Sequence, residues 1–132
     1  MTLSELEATL PNGLHDAYLS ALSISFCEAT AVLALSIHEG GEEEPIYREA
    51  EIQLFDVAAL TIEGPAASNS KRSPICIDSI QTSDERYPGF SSLPLAVQRQ
   101  FLSLYLLPPW NSFIHIAAAH AKLVWKEDAS PG

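Results

Sequence analysis

Apolar and polar side chains alternate along most of the chain, and this alternation predicts a protein built mainly of strands. Between Tyr18 and Cys27, for example, Leu22, Ile24 and Phe26 alternate with serines and a cysteine. A period of two places the apolar side chains on one face of an extended strand. The same period predicts further strands at 33–38, 49–54, 57–62, 75–80, 113–118 and 121–125.

The connections between these segments predict how they pair. Only residues 28–30 separate the apolar alternation of the first two strands, which predicts a hairpin. A bulge or bend near Asp56 separates the third strand from the fourth. The last two segments, which flank His120, predict either two paired strands or one long bent strand.

Helical spacing replaces the alternation in one stretch, residues 93–107. Apolar side chains recur there every three or four residues, at Val97, Phe101, Leu104 and Tyr105. Pro94 is tolerated in a first helical turn, and Pro108 ends the helix because it lacks a backbone N–H. We therefore predict one helix at 93–107, together with a short helical turn within residues 1–12 that Ser4 caps.

Turn-forming and charged residues predict loops at 39–45, 64–73 and 81–91. The fold class that follows is mainly β (α+β). It is an antiparallel sheet curled as a sandwich or a partly open barrel, with one helix near the C-terminal third. We expect a single domain over residues 1–132, because a chain of this length buries enough surface for a core. Its tail, 126–132, is predicted to fray.

Composition narrows the classes of function. The chain has 132 residues, of which 7 are basic and 17 acidic, and its formal net charge is −10. Excess acid opposes binding to a phosphate backbone, so we expect no nucleic acid and favour a basic protein as partner. No apolar run is long enough to cross a bilayer, and the first residues lack the pattern of a signal peptide. These features predict a cytoplasmic protein that has no membrane partner.

Sequence motifs for catalysis and metal binding are missing. Cys27 and Cys76 lie in alternating segments without metal-binding spacing, which predicts buried thiols that form no bridge. His38, His115 and His120 form no local ligand pair, and the last two are placed on opposite faces of a strand. The chain also lacks a nucleophile motif and a phosphate-binding loop. We therefore expect no metal, no cofactor, no catalytic residue and no enzymatic activity.

His15 and Asp16 form the most suggestive polar pair, because they follow a Pro-Asn-Gly turn and precede a strand. An aspartate can orient an imidazole for base catalysis or metal binding when their side chains meet. Adjacent residues of a strand point to opposite faces, so a turn-capping Asp16 beside a partly exposed His15 is the simpler interpretation. A pocket at these two residues remains an alternative site.

An acidic cluster spans residues 39–51. It contains six glutamates and one basic residue, Arg48, so its local charge is −5. Such a cluster accelerates encounter with a basic partner, although charge runs often serve only solubility. Among the aromatic residues, Phe113 and Trp125 are predicted in the core, and Trp110 is left open as an anchor for a partner. The predicted binding residues are Glu42, Glu43, Glu44, Glu49, Glu51 and Trp110.

Motifs at both ends of the chain carry a resemblance to a known family. These are Leu10-Pro-Asn-Gly-Leu-His-Asp-Ala17, Trp110-Asn-Ser-Phe-Ile-His-Ile-Ala117 and Leu123-Val-Trp125. They resemble a group of small bacterial proteins, some of which are similar to immunity proteins of polymorphic toxin systems. The resemblance implies a strand-rich fold and a protein that binds and blocks a toxin domain. An acidic face would suit a basic nuclease.

Three functions are therefore distinguished. The leading hypothesis is a non-enzymatic, cytoplasmic, immunity-like protein that binds a basic partner through its acidic surface. The first alternative is a small-ligand binder or an enzyme with its pocket near His15 and Asp16. The second alternative is a structural subunit that associates with itself, as a homodimer for example, through an exposed strand edge.

Overall fold

The computed structural model describes residues 1–40, 46–64, 74–81, 89–108 and 110–126. Most of the three predicted loops and of the predicted frayed tail lies outside these residues. In chain order, the elements are α1 (Leu3–Thr9), β1 (Tyr18–Ser25), β2 (Thr30–His38), β3 (Tyr47–Ile62), β4 (Ile75–Gln81), a 3₁₀ turn (Phe90–Ser92), α2 (Leu95–Gln98), β5 (Phe101–Leu106) and β6 (Ser112–Trp125). Neither of the described helices is long and apolar enough to span a membrane.

The six strands form one closed barrel in the order β1-β2-β3-β6-β5-β4. Every neighbouring pair is antiparallel. The mainly β, antiparallel class is thus confirmed. The predicted sandwich or partly open barrel is not confirmed, because the sheet closes on itself. The closure is short, because the described part of β4 pairs with β1 only through Cys76 opposite Tyr18 and Ile75 opposite Leu19. We call these two residue pairs the seam.

Apolar side chains at alternate positions of the strands fill the barrel interior. In β2 every second residue is buried, from Ala31 to Ile37, and β3 continues this layer with Ala50, Ile52 and Leu54. The helix α1 contacts β5 and β6 and buries Leu3 and Leu6 in the same core. Helix α1 begins with a capping box between Thr2 and Glu5, so Thr2 rather than the predicted Ser4 caps it.

Strands β3 and β6 are each longer than the sequence pattern predicted. The third and fourth predicted strands form the single strand β3, and the expected irregularity lies at Asp56, whose φ is 53°. The register with β6 shifts between Val57 and Ala59, which is the signature of a β-bulge. Strand β6 is the one long strand of the two alternatives for residues 113–125.

The helix predicted at 93–107 is wrong. Helix α2 covers only Leu95–Gln98, and residues 101–106 form strand β5. The error has a physical cause: β5 is buried on both faces, so its apolar residues do not show the alternation of a half-exposed strand. On its outward face, the Phe90 ring lies edge-on to Phe101, with 5.3 Å between centroids, and the Tyr105 ring lies 5.1 Å from the Phe113 ring.

The prediction of two buried thiols is also corrected. Cys27 is exposed, because it lies in the turn that joins β1 to β2 rather than within a strand. Cys76 is partly buried at the seam, and both cysteines are free. The expectation that they form no bridge with each other is consistent with these positions.

Candidate functional site

The acidic cluster is only partly within the described residues, because Glu42, Glu43 and Glu44 lie outside them. Glu39 accepts a hydrogen bond from the Arg48 guanidinium at 3.2 Å, and Glu51 lies 3.7 Å from the Lys126 ammonium. Two of the glutamates are thereby paired with cations. The described part of the cluster therefore presents less uncompensated charge than the sequence count indicates.

His15 and Asp16 do meet, contrary to the geometry expected within a strand. Their Nδ1 and Oδ2 atoms are 3.3 Å apart, and both side chains are about half exposed. The pair precedes β1, and Asp16 has a φ of 67°, so the alternation of a strand does not apply to it. The Asp16 backbone N–H donates to the Ile77 carbonyl, which fixes the pair beside the seam.

Aromatic and thiol groups surround the same end of the barrel. The Tyr47 ring lies 5.5 Å from Tyr18 and 5.1 Å from His38, and burial together with the charge of Tyr18 raises the Tyr47 pKa. Burial, followed by the charges of Asp16 and Asp78, raises the pKa of the Cys76 thiol, which makes it a poorer nucleophile. Among the described residues, no group of three or more His, Cys, Asp and Glu side chains is placed to hold a metal ion.

A buried polar chain, Ser103–His115–Glu63, is the most ordered polar arrangement that sequence reasoning missed. The Ser103 Oγ lies 2.8 Å from Nδ1 of His115, and Nε2 of His115 lies 2.9 Å from Oε2 of Glu63. Ser103 and His115 are opposite each other on β5 and β6, and Glu63 directly follows β3. No sequence motif joins these residues. Only the register of three strands brings them together.

Burial limits what the hydrogen-bonded Ser103–His115–Glu63 chain can do chemically. Because a carboxylate only accepts hydrogen bonds, Nε2 donates to Glu63, and an imidazole with one proton then accepts the Ser103 hydroxyl at Nδ1. The same three residue types serve as nucleophile, base and orienting acid in hydrolases. Ser103 and His115, however, have no exposed surface, so a substrate cannot reach the hydroxyl. These hydrogen bonds instead hold the residue that follows β3 against β5 and β6.

An apolar cleft opens between β1 and the C-terminal part of β3. Two cavities, of about 210 and 270 Å³, lie along these strands and share no lining residue, and we call the two together the cleft. The first holds Leu22, Ile62 and Trp110, and the second holds Ile24, Phe26, Val57 and Leu60. Leu22 and Ile24 are two residues apart on β1, as Leu60 and Ile62 are on β3, so the two cavities follow the same pair of strands.

The cleft exposes large apolar side chains. Phe26 is 89% exposed, and Ile24 and Ile62 are 42% and 45% exposed. The charged residues adjoining the lining of the second cavity are the exposed acids Glu28, beside Ala29, and Asp56, beside Val57. No described lysine or arginine is paired with either acid. The lining is therefore mainly apolar, and two exposed acids directly adjoin lining residues in the sequence.

Of the predicted binding residues that the structure describes, Trp110 alone lines this cleft. Its indole N–H donates to the Glu63 carbonyl at 2.7 Å, so the side chain is half-buried and held in place rather than open. Phe113 and Trp125, both predicted in the core, differ from each other. Phe113 is buried on the outward face of β6, whereas Trp125 is half-buried against the interior core and beneath Arg48.

Comparisons of this chain with protein-family models, with curated proteins and with solved structures find no match.

Proposed function

We propose that this protein binds another protein through the apolar cleft, and that the partner carries basic residues. The observation that carries the proposal is the exposure of Ile24, Phe26 and Ile62 around a concave apolar surface. Side chains of this size gain about 1.5 to 3 kcal/mol each when they are removed from water, so leaving them exposed needs a reason. Contiguous exposed apolar surface commonly marks an interaction site.

Charge supports a basic partner over a second copy of the chain. The whole chain carries a net charge of −10, and Glu28 and Asp56 adjoin the cleft. Two such chains repel each other, whereas a basic partner is attracted and guided to the same surface. The glutamates at 42–44 add to this long-range attraction wherever they lie.

The proposed activity is non-enzymatic and cytoplasmic. Blocking a basic toxin domain, which the terminal motifs imply by resemblance to immunity proteins, is an activity of this kind. A pocket for a small ligand at His15 and Asp16 is less well supported, because both side chains are about half exposed and neither lines the cleft.

The test compares two serine substitutions of exposed apolar residues. Phe26→Ser removes the most exposed side chain of the cleft, and Leu95→Ser removes a 67% exposed leucine on α2, outside the cleft lining. Each variant and the unaltered protein are used to capture partners from a bacterial lysate, and the captured protein is purified for measurement of Kd. We expect Leu95→Ser to bind as the unaltered protein does, and Phe26→Ser to bind at least tenfold more weakly. A partner that binds all three equally refutes the proposed site.

Salt and charge variants test the basic character of the partner. We expect Kd to rise with ionic strength, because screening weakens attraction between exposed charges. A Glu28→Gln, Asp56→Asn double variant removes the charge beside the cleft, whereas a triple glutamine variant of Glu42, Glu43 and Glu44 removes charge from the acidic cluster. Weaker binding by the first variant places the contact at the cleft. An effect restricted to the second moves it to the cluster, against the proposal.

A further inference from the structure

We infer that the outward face of the barrel carries a second binding site, which takes an organic cation at the rings of Tyr18 and Tyr47. The centroids of these rings are 5.5 Å apart, and the ring planes are tilted by 58°. Both residues are exposed, Tyr18 to 37% and Tyr47 to 41%. The face of an aromatic ring attracts a cation that lies within about 6 Å of the ring centroid. Because the two centroids are closer together than that, one cation can be within reach of both rings.

The strand register places a third ring beside this pair. Tyr18 on β1 lies opposite Ser36 on β2. His38, two residues further along β2, lies opposite Tyr47 on β3. Ser36 and His38 alternate with buried residues, so these side chains and those opposite them are on the outward face of the barrel. The His38 and Tyr47 rings are 5.1 Å apart, and we call Tyr18, His38 and Tyr47 the aromatic corner.

Carboxylates lie near the aromatic corner. Asp16 is two residues before Tyr18, and its side chain is about half exposed, with Oδ2 3.3 Å from Nδ1 of His15. Burial, followed by the charges of Tyr18 and Asp16, raises the pKa of Tyr47, so the Asp16 carboxylate acts on that ring. Glu49 is exposed and lies two residues after Tyr47, which places it on the same face of β3. A cation at the corner therefore has two carboxylates in its surroundings.

The chemistry of the corner selects organic cations over metal ions. Ions such as Mg²⁺ and Ca²⁺ need several oxygen ligands, and within the described part of the chain no group of three or more His, Cys, Asp and Glu side chains is placed to hold one. Aromatic faces instead favour weakly hydrated cations, such as guanidinium and methylated ammonium groups. Such a group is carried by an arginine side chain of another protein or by a small methylated amine.

The aromatic corner is distinct from the cleft. None of its three residues is among those that line the two cavities. The net charge of −10 favours a cation at either surface. A cation can therefore bind at the corner whether or not a protein binds in the cleft.

The experiment titrates the whole protein with choline and follows the tyrosine ring resonances by NMR. The neutral control is 3,3-dimethylbutan-1-ol, which has the shape of choline with a carbon atom in place of the nitrogen. We expect choline to shift the Tyr18 and Tyr47 resonances saturably, and the alcohol to bind about tenfold more weakly, because ring faces and carboxylates attract only the cation. Equal binding of the two compounds, or shifts confined to other residues, overturns the inference.

Substitutions of Tyr47 test the contribution of its ring. Tyr47→Leu removes the ring face and should weaken choline binding about fivefold, whereas Tyr47→Phe keeps the face and should change binding by less than about twofold. The matched control is Phe55→Leu, which removes another exposed aromatic ring of β3 outside the corner and should leave binding unchanged. Urea unfolding verifies that each variant is folded. A folded Tyr47→Leu variant that binds choline as the unaltered protein does overturns the inference.

An Asp16→Asn variant tests the carboxylate without relying on a change at the rings. Asparagine tolerates the left-handed backbone of this position, where φ is 67°, and the substitution removes only the charge. We expect choline binding to weaken by about threefold, and unchanged binding counts against the site.

A second probe, arginine with both ends blocked by acetyl and methylamide groups, separates the two sources of the cation. Tighter binding of the blocked arginine indicates an arginine side chain of a protein, and tighter binding of choline indicates a small methylated amine. Absence of binding by both probes overturns the inference.

Discussion

Replacing His115 with alanine is expected to destabilise the fold severely, because it removes the centre of the Ser103–His115–Glu63 chain. The hydrogen bond to the carboxylate of Glu63 contributes about 1 to 1.5 kcal/mol, a value reduced because that side chain is 38% exposed. The Ser103 hydroxyl, left buried without its partner, costs about 1 to 3 kcal/mol. The imidazole also stacks on the Phe113 ring, with 5.7 Å between centroids, and its loss leaves a cavity.

Together these effects predict a loss of about 3 to 5 kcal/mol in the free energy of unfolding, out of the 5 to 15 kcal/mol typical of a domain. The measurement is urea-induced unfolding at pH 7, followed by fluorescence. The matched control is His120→Ala, because His120 lies on the same strand but is exposed, and its loss should change stability by no more than about 0.5 kcal/mol.

A double-mutant cycle of Ser103→Ala and Glu63→Gln tests whether the two hydrogen bonds of His115 depend on each other. Both residues bind the same imidazole, so we expect the two effects to be non-additive by about 0.5 to 1.5 kcal/mol. The reasoning fails if His115→Ala lies within 1 kcal/mol of the His120→Ala control. Additive effects in the cycle would instead show that the two hydrogen bonds are independent.

Three smaller predictions concern single positions. Ala29 has a φ of 54°, a backbone conformation that costs an alanine about 1 to 2 kcal/mol. Ala29→Gly should therefore raise the free energy of unfolding by about 0.5 to 1 kcal/mol. A decrease would contradict this geometry. Thr2→Ala should lower stability at pH 7 by about 1 kcal/mol. Hydrogen bonds from the backbone N–H and then the side chain of Thr2 lower the Glu5 pKa. The ionised Glu5 therefore stabilises the folded protein above the ordinary carboxyl pKa, and this stabilisation is lost as pH falls through the lowered value. Thr2→Ala keeps the backbone N–H that is the larger cause of this shift, so Glu5→Gln is the variant that tests it. In urea unfolding, the difference in free energy between the unaltered protein and Glu5→Gln should be larger at pH 7 than at pH 3. Finally, iodoacetamide at pH 8 should alkylate exposed Cys27 quickly and Cys76 slowly, since burial raises the Cys76 pKa; a fast phase that persists in Cys27→Ser would refute this.

The hairpin of β1 and β2 is predictable from sequence, because half of each strand faces water and the polar residues therefore report its orientation. Strand β5 is not, because its outward face is buried as well as its inward face, which removes that contrast. A run that is apolar on both faces fits a helix and a buried strand equally well, and the helical spacing of Val97, Phe101 and Leu104 favoured the helix.

The candidate sites divide in the same way. Trp110 could be predicted as a binding residue from its residue type and its neighbours alone, and this stays a prediction. The cleft and the Ser103–His115–Glu63 chain depend instead on which residues oppose each other across strands, and Glu63 and Ser103 are forty residues apart in the chain. Register of this kind is set by the whole barrel, including the bulge between Val57 and Ala59, and no local motif encodes it.

The seam also bears on the order in which the barrel assembles. Tyr18 and Cys76 are far apart in sequence, and closing a long loop carries an entropic cost that the two residue pairs of the seam repay only in part. The β1–β2 hairpin and the long β3–β6 pair make many more contacts than the seam does. Over the described residues the seam is therefore the weakest junction of the sheet, and we expect its two edges to join last in folding and to part first in thermal fluctuations.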